Sequence, residues 1–221
     1  MIGVIDYGCG NMGSIVNMLR RTGHTAGVID SPEQVATAER LILPGVGAFD
    51  AGMHHLEERG WIEVLDHHVR QQGMPLLGIC LGMQLLLSGS EEGRLPGLGW
   101  IDGMVVRFSN RNADGQARRV PHMGWNTVTP AAGSRLLADW TGNDAALPRF
   151  YFVHSYHAAS VDPAAIAGTT RYGDETFTSV IESCNSATGT LMATQFHPEK
   201  SHKYGIALLQ RFASLEAASS T

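Results

Sequence analysis

Cysteine is scarce in this chain: Cys9, Cys80 and Cys184 are the only three in 221 residues. No two are spaced as a pair, which excludes a disulfide framework, and three lone thiols suit a reducing compartment where one can work as a nucleophile. Basic residues are scarce too. Sixteen Lys and Arg against 21 Asp and Glu give a net charge of −5, with no basic stripe to neutralise phosphates, so general nucleic-acid binding is excluded. No apolar run approaches the length of a membrane span, and Met1-Ile2 enters a strand with no basic leader, so a cytoplasmic protein is expected. Linker-like runs and internal repeats are absent as well. The expectation is one domain over residues 1–215, followed by a small, polar tail at 216–221 that frays.

What is present is an alternation of elements. Residues 1–6, 26–29, 41–43 and 75–79 read as strands. Residues 12–21, a stretch opened by Ser31-Pro-Glu-Gln34, and residues 48–59 and 61–71 read as helices. This order predicts a parallel sheet covered by helices. After Glu91-Glu-Gly93 the pattern turns strand-rich, with strands expected at 99–108, 120–129, 149–158, 167–172, 178–182 and 190–196. Only 134–140 looks helical before a last amphipathic helix at 201–215. The fold class expected is α/β: a mixed, largely parallel central sheet flanked by helices, with an antiparallel, strand-rich second half packed onto it.

The chemistry gathers on Gly78-Ile-Cys-Leu-Gly82, between an apolar strand and Leu81-Gly-Met-Gln-Leu-Leu-Leu87. With serine, this spacing builds the nucleophile elbow of hydrolases. A strand that turns sharply into a helix leaves no room for side chains two residues either side, hence the glycines. Cys80 is thereby projected at the carboxyl end of the sheet, beside a helix N-terminus that favours the thiolate. The competing reading is a buried core cysteine.

A second stretch, Thr194-Gln-Phe-His-Pro-Glu-Lys-Ser201, closes the last strand. In extended chain, positions i and i+2 share a side, so His197 and Glu199 face one way with Pro198 fixing the backbone between them. A cysteine at an elbow and an imidazole held by a carboxylate make a Cys-His-Glu triad. The alternative is a solvated turn in which Glu199 and Ser201 serve the following helix.

Together with Asp6-Tyr-Gly-Cys-Gly-Asn11, Leu43-Pro-Gly-Val-Gly47, Pro121-His-Met-Gly-Trp-Asn126 and Tyr151-Phe-Val-His-Ser-Tyr156, these stretches span nearly the whole chain. In them the chain resembles the class I, triad-type glutamine amidotransferases and, among these, the glutaminase subunits of imidazole glycerol phosphate synthases. The resemblance implies that Cys80 attacks the side-chain amide of glutamine, with His197 as acid and base and Glu199 orienting it. It places an oxyanion hole at the N–H groups of Val46 and Leu81, in a loop that Gly45 and Gly47 allow to flip. It assigns Gln84 and Glu92 to the amino-acid end of the substrate, with Glu91 a rival, and the backbone of Ser155 and Tyr156 as help. It calls for no cofactor or metal. The implied partner is a (β/α)₈-barrel cyclase that receives ammonia and docks on Asp6–Met12, including Asn11, and on Trp125, Asn126 and Lys200. Paralogues in the same family feed ammonia to synthases that amidate surface sugars, and Gly13-Ser-Ile15 and Gly99-Trp-Ile-Asp102 suit that branch.

Three further features compete. Gly8, Gly10 and Gly13 form a literal G-x-G-x-x-G with Asp30 closing the next strand, a dinucleotide fingerprint that is weak beside two triad motifs. His54-His55 and His67-His68 are neighbours about 100° apart on a helix, so neither pair is a zinc half-site. Cys9 and Cys184 read as structural, His154 and His157 as packing or interface residues, and Trp61 and Trp125 as core or interface aromatics.

Overall fold

The computed structural model describes residues 1–141, 146–183 and 190–215. The first half runs β1 (Ile2–Ile5), α1 (Met12–Arg21), β2 (Ala26–Ile29), β3 (Arg40–Leu43), α2 (Phe49–Glu58), α3 (Trp61–Leu65), β4 (Leu76–Ile79) and α4 (Leu81–Leu85). The second runs β5 (Gly89–Ser90), β6 (Met104–Arg107), β7 (His122–Thr127), β8 (Thr129–Pro130), β9 (Arg149–His154), β10 (Tyr156–Ala159), β11 (Ile166–Tyr172), β12 (Glu175–Ser183), β13 (Leu191–Thr194) and α5 (His202–Ser214).

Apart from Arg40 at the start of β3, strands β1, β3 and β4 are apolar and buried, as expected where both faces of a parallel sheet are covered, while the edge strand β2 leaves Val28 exposed. Successive residues point to opposite faces: Leu41 and Leu43 enter one core with α2 and α3, while Ile42 enters the other with α1 and α5. The sheet order is β2-β1-β3-β4-β13-β12-β10-β6-β5, and β11 and β8 extend from β12. Pairing is parallel from β2 to β13 and antiparallel from β13 through β12 and β10 to β6. Strands β7 and β9 form a separate antiparallel ribbon. The carboxyl ends of β3, β4 and β13 lie side by side, and the chemistry of the chain collects there.

Several expectations need correction. The second half continues the first sheet through the β4–β13 pair rather than packing on it as another layer. Residues 99–103 are not strand, because Gly99 and Gly103 take left-handed φ values of 63° and 147°. The helix expected at 134–140 shrinks to a 3₁₀ turn at Ala138–Trp140. Its would-be first turn is held by Glu182, whose carboxylate accepts from the Ser134 hydroxyl at 2.7 Å and from the Arg135 and Leu136 N–H groups at 2.9 Å each. Those donors are satisfied without a helix. The stretch after Ser31 is likewise a 3₁₀ helix, Pro32–Thr37, and Ser31 makes no side-chain cap. Residues 66–71 continue α3 as a π-helix. Strand 120–129 is broken at Val128, and strand 149–158 at Ser155. Cys184 and the tail 216–221 lie outside the described residues. No described helix is long and apolar enough to cross a membrane.

Candidate active site

Cys80 follows β4 with φ 55° and ψ −106°, a left-handed backbone that non-glycine residues adopt only when the surroundings force it. Its N–H donates to Thr194 of β13 at 2.8 Å, which locks the bend to the neighbouring strand. The flanking glycines are steric necessities. A Cβ on Gly82 would sit 1.9 Å from the Leu43 carbonyl oxygen, and one on Gly78 would sit 2.8 Å from that of Gly82. The helix that follows has five residues rather than seven, so its dipole is correspondingly short.

His197 and Glu199 are brought together by a 3₁₀ turn, Pro198–Lys200, and not by extended chain as the sequence spacing suggests. His197 Nδ1 lies 2.8 Å from Glu199 Oε1, and both side chains are nearly inaccessible. Nδ1–H therefore donates to the carboxylate. Among the described residues the buried Nε2 has no hydrogen-bond partner, and Cys80 is the group besides Glu199 that acts on the ring. Burial alone would lower the basicity of His197, but hydrogen bonding and charge from Cys80 and Glu199 outweigh it and push its pKa up to about 10. The turn itself is pinned: Ser201 Oγ donates to the His197 carbonyl at 2.6 Å and accepts from Tyr151 N–H at 3.0 Å.

Cys80 and His197 open on a cavity of about 360 Å³, lined also by Val46, Gly47, Leu81, Gln84, Glu92, Pro121, Val153, His154, Ser155 and Tyr156. A larger hollow of about 520 Å³ between α2, α3 and residues 95–100 is lined by no Cys, Ser or Thr. Gln84 donates to the Tyr156 carbonyl at 3.0 Å and to Gln195 Oε1 at 3.2 Å. Glu92 accepts from Phe49 N–H at 2.9 Å at the cavity wall. Glu91, its rival, is turned away to accept from Arg107 N–H at 2.8 Å. Gly45 is absent from the lining. Its carbonyl oxygen faces Leu81 N–H at 3.4 Å, so the donor that follows the nucleophile is engaged by the loop itself.

Two groups escaped the sequence reading. Gln195 is fully buried and its Nε2 approaches Cys80 Sγ at 3.8 Å; lying two residues before His197, it shares that residue's side of the chain, a signal that was available. The other is a relay of imidazoles. His154 Nδ1 is 2.8 Å from the Tyr156 carbonyl and must donate, so its Nε2 accepts from His122 Nδ1 at 3.1 Å. His122 Nε2 then accepts from Asn126 at 3.2 Å. Both rings are neutral, because burial pulls His122 down to about 4 and His154 to about 3. A histidine whose folded pKa is depressed supports the fold above its unfolded value near 6.5, and loses that support as pH falls toward 4. Unfolding stability should accordingly drop by about 2 kcal/mol per pH unit near pH 5, from two coupled protons. Denaturant titrations at pH 7, 6 and 5 measure it, and His122→Phe should flatten the slope by about half.

The remaining assignments sort by position. Asn11 and Lys200 are exposed. Trp125 is 40% exposed and stacks on His202 with ring centroids 5.5 Å apart. Asn126 turns inward to the relay and to the Arg171 carbonyl. Cys9 sits outside the cavity with its sulfur 3.2 Å from His55 Nδ1, and burial raises its thiol pKa. In the glycine loop, donors that a pyrophosphate would need are taken: Gly8 N–H by Asp6 at 3.0 Å and Ser14 N–H by Asn11 at 3.3 Å. Among the described residues no His, Cys, Asp and Glu cluster could hold a metal ion.

Comparison with known proteins follows the same contours. The family model for glutamine amidotransferase class-I matches residues 3–214. An "Imidazole glycerol phosphate synthase subunit HisH 2" of Methanococcus maripaludis is 47% identical over 96% of this chain and 98% of its own. One of the same name from Pseudomonas aeruginosa is 47% identical over 97% and 100%, and a subunit HisH of Leptospira interrogans is 40% identical over 97% and 100%. Among solved structures, a putative GMP synthase subunit from Thermoplasma acidophilum superposes with a TM-score of 0.68 over 96% of this chain and 91% of its own. At 19% identity that likeness speaks for the fold alone.

Proposed function

The chain belongs to the class I glutamine amidotransferases, and we propose on that premise that it is the glutaminase subunit of an imidazole glycerol phosphate synthase. The observation that carries the reading is a buried Cys80–His197–Glu199 line opening on a cavity of amino-acid size, with Glu92 and Gln84 among its lining residues.

In this mechanism the Cys80 thiolate attacks the side-chain amide carbon of glutamine. The C–N bond breaks as His197 delivers its proton to the departing nitrogen, leaving ammonia and a thioester. Water, deprotonated by His197, then cleaves the thioester to glutamate and restores the thiolate. Glu199 holds the imidazole in the required tautomer throughout. Leu81 N–H and Val46 N–H stabilise the tetrahedral oxyanion. Because the Gly45 carbonyl engages Leu81 in the resting loop, the Gly45–Val46 peptide must rotate before the hole exists. Basal turnover is therefore slow, and a partner that favours the rotated loop accelerates it by shifting that equilibrium.

Glu92 binds the substrate ammonium. Glu92→Gln should raise KM for glutamine about tenfold with kcat within twofold, a single charge-assisted contact. Glu91→Gln should change neither, and steady-state kinetics on both variants tests the assignment.

The receiving partner is a (β/α)₈-barrel cyclase in a cytoplasmic heterodimer, docked on the face of Asn11, Trp125 and Lys200, with Asn126 beside Trp125 on β7 but its side chain committed to the relay. Ammonia passes to it through protein, since in water it would be protonated and lose its nucleophilicity. Both 47%-identical relatives carry the numeral 2, the mark of a second subunit of that name, and the second reading for this chain is a paralogue that feeds a surface-sugar amidating synthase. Glutamate release measured alone, with the cyclase and its ribonucleotide ligand, and with an adenylating synthase separates them. Strong stimulation by the cyclase is expected; stimulation by the adenylating enzyme alone would transfer the chain to the other pathway.

A further inference from the structure

Tyr7 follows β1 and is fully buried, yet its hydroxyl has no hydrogen-bond partner among the described residues. It lies against the oxyanion loop: a Cβ added to Gly45 would be 2.5 Å from the Tyr7 oxygen. The same loop is imperfectly bonded, since the Gly45 carbonyl meets Leu81 N–H at 3.4 Å, the long end of the range. A buried hydroxyl without a partner and a stretched carbonyl contact, side by side, are two deficits of one resting state.

We propose that Tyr7 is a positioning residue for the oxyanion hole, its hydroxyl donating to the Gly45 carbonyl once the Gly45–Val46 peptide has rotated off Leu81. The inference rests on the glutaminase reading and adds the group that receives the displaced carbonyl. One rotation then frees Leu81 N–H, turns Val46 N–H toward the substrate and satisfies the tyrosine. Donation requires a neutral phenol, and Tyr7 stays protonated because burial, then the nearby Cys9 and Cys80, raise its pKa well above normal. Gly45 contributes by omission. Any side chain there would collide with the hydroxyl and with Leu81 Cβ, 2.7 Å away.

Tyr7→Phe removes one oxygen and keeps the ring. In the complex with the stimulating partner, kcat for glutamate release should fall about tenfold, with KM within twofold. Alkylation of Cys80 by iodoacetamide, which needs the thiolate but no oxyanion hole, should proceed at the wild-type rate. The thermal midpoint of the free chain should not fall, because the oxygen removed was unpaired. An unchanged kcat would overturn the proposal, as would a lowered midpoint, which would mean the hydroxyl is bonded at rest. A matching loss of Cys80 alkylation would also overturn it, by moving the effect from the loop to the thiol. Wild-type protein that releases no glutamate with either partner would remove the glutaminase reading itself, a result distinct from a variant that equals an active wild type.

Discussion

Cys80→Ala is expected to lose glutamate release by a factor of about 10⁴ or more in kcat, the scale seen when a nucleophile is deleted from a catalytic triad. The hydroxyls of the lining, on Ser155 and Tyr156, are not the group that His197 and Glu199 activate, and Cys9 lies outside the cavity with its own imidazole, His55. Folding should be spared. At φ 55° the strain belongs to any residue with a Cβ, so alanine suffers it as cysteine does. Cys80→Gly, which escapes that strain, should be equally inactive and no less stable. Glutamate assays beside thermal melts on the two variants test both halves. An active Cys80→Ala would end the covalent mechanism.

The second large effect concerns the frame rather than the nucleophile. Gly82→Ala should lower stability by about 4 kcal/mol and the melting temperature by about 10 °C, because the new Cβ would lie 1.9 Å from the Leu43 carbonyl oxygen. Backbone cannot swing aside as a side chain can, so β3 or the elbow must move. Leu43 leads directly into Pro44-Gly-Val-Gly47, and activity should fall further than the residual folded fraction explains. Gly13→Ala is the control. That position is in α1 with no atom within 4 Å of a new Cβ, and the substitution should be neutral or slightly stabilising. Calorimetry and kinetics on the pair distinguish a steric elbow from glycines that merely punctuate the chain.

How much of this was legible in the sequence follows from how local each signal was. The parallel half was readable because its strands are continuous apolar runs and its helices amphipathic. The elbow was readable because two glycines at fixed offsets report a steric demand. Long-range bonds left no such trace. Glu182 cancels a helix 46 to 48 residues away by occupying its first donors, which no window around Ser134 could reveal. His197 and Glu199 meet through a tight turn, although extended chain also places i and i+2 on one side, so the two are close for a reason other than the one the spacing suggests. Adjacent identical residues give no ground to choose between Glu91 and Glu92; in the fold Glu91 accepts from Arg107 N–H of β6 while Glu92 lines the cavity. The relay through His122 and His154 depends on the register that pairs them across β7 and β9, a fact of tertiary structure alone.

The central claim is that Cys80 is the nucleophile toward glutamine, and the most direct measurement is covalent labelling by an electrophilic glutamine analogue, read by intact mass and peptide mapping. The account predicts one adduct per chain, on Cys80, suppressed by excess glutamine and absent from Cys80→Ala. An adduct on Cys9, or none while the protein still hydrolyses glutamine, would contradict it.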